Sequence, residues 1–140
     1  MRAPISVVIP TLNAAGPLPA CLAALGEGLQ AGLIRELVIS DGGSEDATQA
    51  VAEAAGARLV TGPPSRGGQL RRGTEAAMGD WLLILHADTR LPEGWTRAVT
   101  PVLAQPGAWH FRLAFDAAGV MPAVVAGWAN LRSWIFRLPY

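Results

Sequence analysis

Apolar positions along this chain alternate between two rhythms. Nearly continuous runs of β-branched residues and Leu, at 5–9, 36–40, 57–61 and 81–86, are separated by stretches where apolar residues recur every three or four positions. Short continuous runs read as strands buried on both faces, and their alternation with helical-period segments is the pattern of βαβ units on a parallel sheet. A fifth strand is predicted over 108–115, where Trp109, His110 and Arg112 alternate, one face bordering a pocket and the other forming core. Leu18, Leu22, Leu25 and Leu29 predict one helix, started near Pro17 or Pro19. A second helix follows Ser44 as N-cap, with Glu45 and Asp46 complementing its dipole and Val51 and Ala55 facing the sheet. A third runs over about 69–78 and stops at Gly79, and a fourth has Pro92 in its first turn and ends before Pro106. The expected organisation is an α/β domain over 1–116, followed by the start of a helical segment over 117–140.

Right-handed crossovers bring the C-terminal ends of such strands to one edge of the sheet, where open α/β folds bind ligands. Four polar segments meet there: Thr11-Leu-Asn13, Asp41-Gly-Gly-Ser44, Gly62-Pro-Pro-Ser65 with Arg66, and His86-Ala-Asp88. Ordinary turn chemistry accounts for Gly42, Gly43, Pro63 and Pro64. It does not account for a carboxylate at two strand ends and an Arg beside a third. Asp88 suits a hard divalent cation that draws its remaining oxygens from a diphosphate and water. For His86 three roles stay open: a metal ligand, a donor to ribose or phosphate, or a satisfied strand-end histidine. Asp41 stands before two glycines and a helix start, a loop where backbone approaches a ligand and the carboxylate accepts from a base or ribose. Arg66 has a fork of donors suited to phosphate or a nucleobase edge, whereas Arg71 and Arg72 read as solvated helix residues.

Composition narrows the chemistry. The formal net charge is zero, so no general attraction to nucleic acid is written into the chain, and any anion site must be local. All 11 cations are Arg, which excludes Schiff-base lysines and a Walker-type P-loop. No G-x-G-x-x-G follows the first strand, against a dinucleotide-binding oxidoreductase. A single Cys, Cys21, excludes an internal disulfide and fits a reducing compartment. The N-terminus has no signal-peptide pattern, so a cytoplasmic protein is expected. The apolar stretch 117–129 is broken by Gly119, Pro122 and Gly127 and is too short to span a bilayer. Trp128, Trp134, Ile135 and Phe136 beside Arg132 and Arg137 suit either peripheral contact with a membrane or a core helix.

Four segments, Ser6–Asn13, Ile39–Thr48, Arg66–Gly73 and Leu83–Thr89, resemble in order and spacing the family 2 glycosyltransferases. The H-A-D-T version of the family's D-x-D motif and the tail Trp128–Tyr140 resemble a bacterial subgroup. The resemblance implies the GT-A fold, a Rossmann-like, mostly parallel sheet flanked by helices in a single domain. It implies inverting transfer of a sugar from a nucleotide-diphospho-sugar to an acceptor hydroxyl, with Mg²⁺ or Mn²⁺. Thr11 to Asn13 and Asp41 would lie at the base and ribose, Arg66 near the base or diphosphate, and Pro10 and Gly43 elsewhere in the nucleotide-sugar site. Asp88 matches the motif's metal-binding Asp, and His86 replaces its first Asp. Relatives continue after Leu-Pro-Tyr into an acidic segment resembling the base-bearing motif. The expectation is therefore a C-terminally truncated chain without its general base, for which Asp116 is a weak substitute. Alternatives are a non-catalytic nucleotide-sugar-binding fragment and a sugar-phosphate nucleotidyltransferase. The latter would need a basic, Gly-rich loop where Pro10-Thr-Leu-Asn13 stands.

Overall fold

In the computed structural model, which describes residues 2–115 and 117–136, four parallel strands form one sheet in the order β3-β2-β1-β4. They are β1 (Ile5–Thr11), β2 (Ile34–Asp41), β3 (Arg58–Thr61) and β4 (Trp81–Ile84). β1 is the hub: Ser6 to Thr11 pair with Glu36 to Asp41 on one side, and Ile5 to Val8 pair with Trp81 to Ile84 on the other. Val7, Val8, Ile9, Val38 and Ile39 are wholly buried, as expected of central strands covered on both faces. The chain steps outward from β1 through β2 to β3 and then returns to β1's other side for β4. The order reverses between β1 and β4, and such a switch point leaves a crevice beyond the strand ends.

β4 departs from the expected doubly buried strand. Leu82 and Ile84, on the same face, are 46% and 49% exposed, so that face of β4 is left uncovered among the described residues. Its ladder ends at Ile84, although Leu85 still donates its N–H to the Val8 carbonyl, so His86 belongs to the following loop.

The first predicted helix is two, α1 (Leu18–Ala24) and α2 (Gly26–Gln30), meeting at Leu25. Leu29 is exposed. Gly28 takes the inward position because the Trp95 ring fills that space, leaving no room for a side chain. α3 (Thr48–Ala54) starts later than predicted and turns Thr48 and Ala52 inward instead of Val51 and Ala55. Ser44 is not its cap, since its hydroxyl is drawn to Asp41; Asp46 instead accepts from the Thr48 N–H. α4 (Arg66–Ala76) starts earlier than predicted, with Ser65 as N-cap accepting from the Gly68 N–H. Pro92 lies outside α5 (Trp95–Val99), which begins after the left-handed Gly94 and is followed by a 3-10 turn at Val102–Ala104.

The chain divides into two compact units, Met1–Ala104 and Gln105–Tyr140, a break that falls before the 116/117 boundary read from the sequence. In the second unit, 108–115 is not a strand. Alternating side chains do not make a strand without a backbone partner, and here the Asn130 side chain takes that place for one residue, exchanging bonds with the Leu113 N–H and carbonyl. Asn130 lies in α6 (Val120–Phe136), which turns Ala126 and Ser133 inward and leaves Val124, Trp128 and Trp134 exposed. No helix among the described residues is long and apolar enough to cross a membrane. Asp116 and 137–140, which carry the proposed substitute base and the end of the tail, lie outside the described residues.

Candidate functional site

Two clefts open at the switch point. The larger, about 390 Å³, is lined by Pro10, Thr11, Leu12, Pro64, Ser65, Arg66, Gln69 and His86. The smaller, about 260 Å³, is lined by Pro10, Leu12, Asn13, Ala14, Pro17, His86, Ala87 and Asp88. Pro10, Leu12 and His86 are common to both, so His86 is part of the wall between them.

Arg66 stands in the first turn of α4, with its Nη2 3.1 Å from His86 Nε2. A guanidinium can only donate, so the imidazole accepts at Nε2 and carries its proton on Nδ1. This joins two of the expected site residues across the larger cleft. It also leaves the open side of the guanidinium, together with the unengaged N–H groups at the start of α4, as donors toward an anion. Beneath this loop the buried Cys21 thiol donates to the His86 carbonyl at 3.6 Å. Burial, reinforced by the nearby Asp88 charge, raises that thiol to about 11.

Asp88 is exposed on the opposite side of His86, and its carboxylate is not engaged by any hydrogen bond or ion pair among the described residues. No group of three His, Cys, Asp or Glu side chains able to cage a metal exists among the described residues. The chemistry of the donor set therefore fits a cation shared with a ligand: one free carboxylate at the cleft edge, the other positions supplied by phosphate oxygens and water.

Asp41 is differently placed than expected. Its side chain is fully buried and lines neither cleft. Oδ1 accepts from the Thr11 hydroxyl (2.8 Å) and the Ser44 hydroxyl (2.6 Å), while Oδ2 accepts from the N–H groups of Gly43 (3.0 Å) and Ser44 (2.7 Å) and from Gln49 Nε2 (3.1 Å). Five donors exhaust a carboxylate, so Asp41 would have to release one before it accepted from a base or ribose. Burial opposes its ionisation, but the Ser44, Thr11 and Gln49 donors outweigh that and bring it down to about 2. Gly43, at φ +92°, allows the turn that aims its N–H at this carboxylate. Asn13, with φ +50°, donates its N–H to the Ser44 hydroxyl and accepts from the Glu45 N–H through Oδ1. Its amide oxygen thus clasps the β1 and β2 loops together, while the residue still borders the smaller cleft. The Thr11 hydroxyl likewise points to Asp41 and leaves only the rest of the residue to the larger cleft.

Arg72 is not a solvated residue. Its Nη2 donates to the Pro63 carbonyl and its guanidinium lies over Gly62, fixing the loop that carries Pro64 and Ser65. Gln69, expected only as the start of a helix, belongs to the site. It is buried, lines the larger cleft, and bonds to the ends of β1 and β2. The signal for it was available: with Ser65 as cap, Gln69 and Gly73 fall on one face of α4, the face turned to the sheet.

Residues 6–120 match the model of the family described as Glycosyl transferase family 2. A PGL/p-HBAD biosynthesis glycosyltransferase of Mycobacterium bovis is 41% identical over 106 residues, covering 70% of this chain and 41% of that protein. Among solved structures, glucosyl-3-phosphoglycerate synthase from Mycobacterium tuberculosis in complex with Mn²⁺, uridine diphosphate and glucosyl-3-phosphoglycerate is similar, with a TM-score of 0.60 and 32% identity over 71% of this chain and 39% of that one. The same enzyme with Mg²⁺ and uridine diphosphate gives the same figures. The chain thus spans about two fifths of the length of these relatives.

Proposed function

The chain belongs to glycosyl transferase family 2, and from that premise we propose that it forms the donor-binding part of an enzyme that transfers a sugar from a nucleoside diphosphate sugar to an acceptor hydroxyl, with inversion. One observation carries the reading: at the switch point between β1 and β4, a free carboxylate, Asp88, and a cation on a helix N-terminus, Arg66, flank a divided cleft. A diphosphate with its counter-cation needs both signs of charge side by side. Either sign alone would suit a simpler ligand.

In this reading the larger cleft receives the nucleoside between Pro10 and Pro64. Ser65 and Arg66 meet the diphosphate with a hydroxyl, the guanidinium and the helix-start N–H groups. Asp88 would hold Mg²⁺ or Mn²⁺, the ions present in the similar synthase, and a bound cation would supply neutralisation of the departing diphosphate. His86, engaged by Arg66, orients that guanidinium. Transfer also needs a group to take the acceptor's proton, and the clefts are lined by no carboxylate other than Asp88 among the described residues. That favours a second reading for the chain on its own, donor binding without turnover.

Calorimetry with uridine diphosphate, with and without Mn²⁺, tests the proposal. Wild type should bind more tightly with Mn²⁺, and Asp88→Asn should lose that enhancement, by roughly ten-fold or more, without a change in Tm because the residue is exposed. A metal enhancement identical in the variant would refute the assignment of Asp88. Donor turnover by the isolated chain would reject the second reading.

A further inference from the structure

We propose that Gln69 is a positioning residue that fixes Arg66, so that the nucleoside diphosphate affinity of the larger cleft depends on a side chain whose own bonds go to the protein backbone. This rests on the donor-binding reading above. α4 docks on the sheet at Gly73, where a Cβ would stand 2.5 Å from Val8 Cγ1, so only glycine permits so close an approach. One turn earlier on the same face, the Gln69 amide is carried to the ends of two strands. Nε2 donates to the Thr11 carbonyl at 2.7 Å and the Ser40 carbonyl at 3.1 Å, and Oε1 accepts from the Ser65 N–H at 3.2 Å. A single amide therefore ties β1, β2 and the N-cap of α4 together, and the residue after that cap is Arg66.

Gly42 belongs to the same device. A Cβ there would lie 2.9 Å from Gln69 Oε1 and 3.0 Å from its Cδ, so the glycine makes room for the amide rather than for a ligand. The arrangement has an electrostatic side as well. Strand-end carbonyls carry partial negative charge, and the Gln69 donor engages those of Thr11, which lines the larger cleft, and of the buried Ser40 behind it. A residue serving packing alone would not need its amide oxygen on the turn that launches Arg66 while its amide nitrogen holds the two strand ends.

The test uses Gln69→Met, which keeps length and removes the amide, and Gly42→Ala, which displaces the amide without removing it. Each is made in the wild-type and Arg66→Ala backgrounds and titrated with uridine diphosphate. In the wild-type background each should weaken binding by roughly ten-fold, the order expected from losing an anchored charge-assisted contact, and in the Arg66→Ala background by less than about two-fold. Equal losses in both backgrounds would overturn the proposal. Hydrogen exchange on the ligand-free proteins provides a readout that needs no ligand. The amides of Ser65 and Gly68, whose acceptors are Gln69 Oε1 and the Ser65 hydroxyl, should exchange faster in both variants while those of β1 stay protected; unchanged exchange at Ser65 and Gly68, or an equal rise through β1, would overturn it. If wild type binds no uridine diphosphate, the donor-binding reading fails for this ligand, while the exchange result still decides whether Gln69 holds the turn bearing Arg66.

Discussion

Replacing Asp41 by Asn probes the buried carboxylate that closes β2. Asn preserves the shape but presents an NH₂ group where one oxygen stood. The Gly43 and Ser44 backbone N–H groups converge on Oδ2 and can only donate, so the Asn oxygen must take that side. Its nitrogen then faces the Thr11 and Ser44 hydroxyls, which must turn their protons away. Neutralising the carboxylate costs about 2 kcal/mol, from its depression to about 2. Reversing the hydroxyls adds about 1 kcal/mol. A total of about 3 kcal/mol corresponds to a fall in Tm of about 6–12 °C for a chain of this size. Because the folded-state value lies below that of the unfolded chain, the ionised carboxylate stabilises fully above about pH 4. That contribution is lost as pH falls toward 2. Thermal unfolding followed by circular dichroism from pH 7 to 2 should therefore show the wild-type and variant melting temperatures converging in acid. The depressed carboxyls of Glu27 and Glu36 are common to both proteins and cancel in the difference, while Asp46, which the Asp41 charge holds up, is lowered further in the variant. A variant melting within about 1 °C of wild type at pH 7, or a gap constant down to pH 2, would refute the reasoning.

Cys21, buried and raised to about 11, should react with a thiol reagent at pH 8 only when the protein is unfolded; labelling of native protein at the rate of a free thiol would contradict its placement. Gly28→Ala brings a Cβ to 2.5 Å from the Trp95 ring and 2.9 Å from Ile34 Cδ1, and urea unfolding should show a loss of about 1–3 kcal/mol. An unchanged midpoint would mean that α2 and Trp95 are not in the close contact described.

The central strands were legible because a strand covered on both faces is apolar nearly throughout, and Ile5–Ile9, broken only by Ser6, and Val38–Ile39 have no other use for such a run. The false strand at 108–115 shows the limit of the same logic, since alternation specifies two faces but not a backbone partner. At the site, sequence located the loops better than it oriented the side chains within them. Arg66, His86 and Asp88 do line the clefts, whereas the buried Asp41 and the exposed Gly43 line neither. Nothing local reveals that Thr11 and Gln49, distant in sequence from each other, would converge on Asp41. Ser44 misled for a related reason: a serine before two acids looks like a helix cap, and a neighbouring carboxylate captured its hydroxyl first. As a site residue Gln69 was invisible because a polar residue in a helix of mixed pattern reads as solvent-facing until the helix start is correctly placed.

The segment bearing His86 and Asp88 is fastened at both ends. The Leu85 N–H enters the sheet at Val8, and beyond the segment Glu27 accepts from the Gly94 and Thr96 N–H groups and from the Thr96 hydroxyl. Trp95 Nε1 adds a bond to the Ala24 carbonyl, so the far end is riveted to α1 and α2 rather than to the sheet. A stretch secured on both sides is an exchangeable cassette. Its residues can be rewritten over generations, one histidine for an acid or one carboxylate for another, while the core beneath keeps its packing, and a single scaffold can in that way diversify its ligands without being refolded.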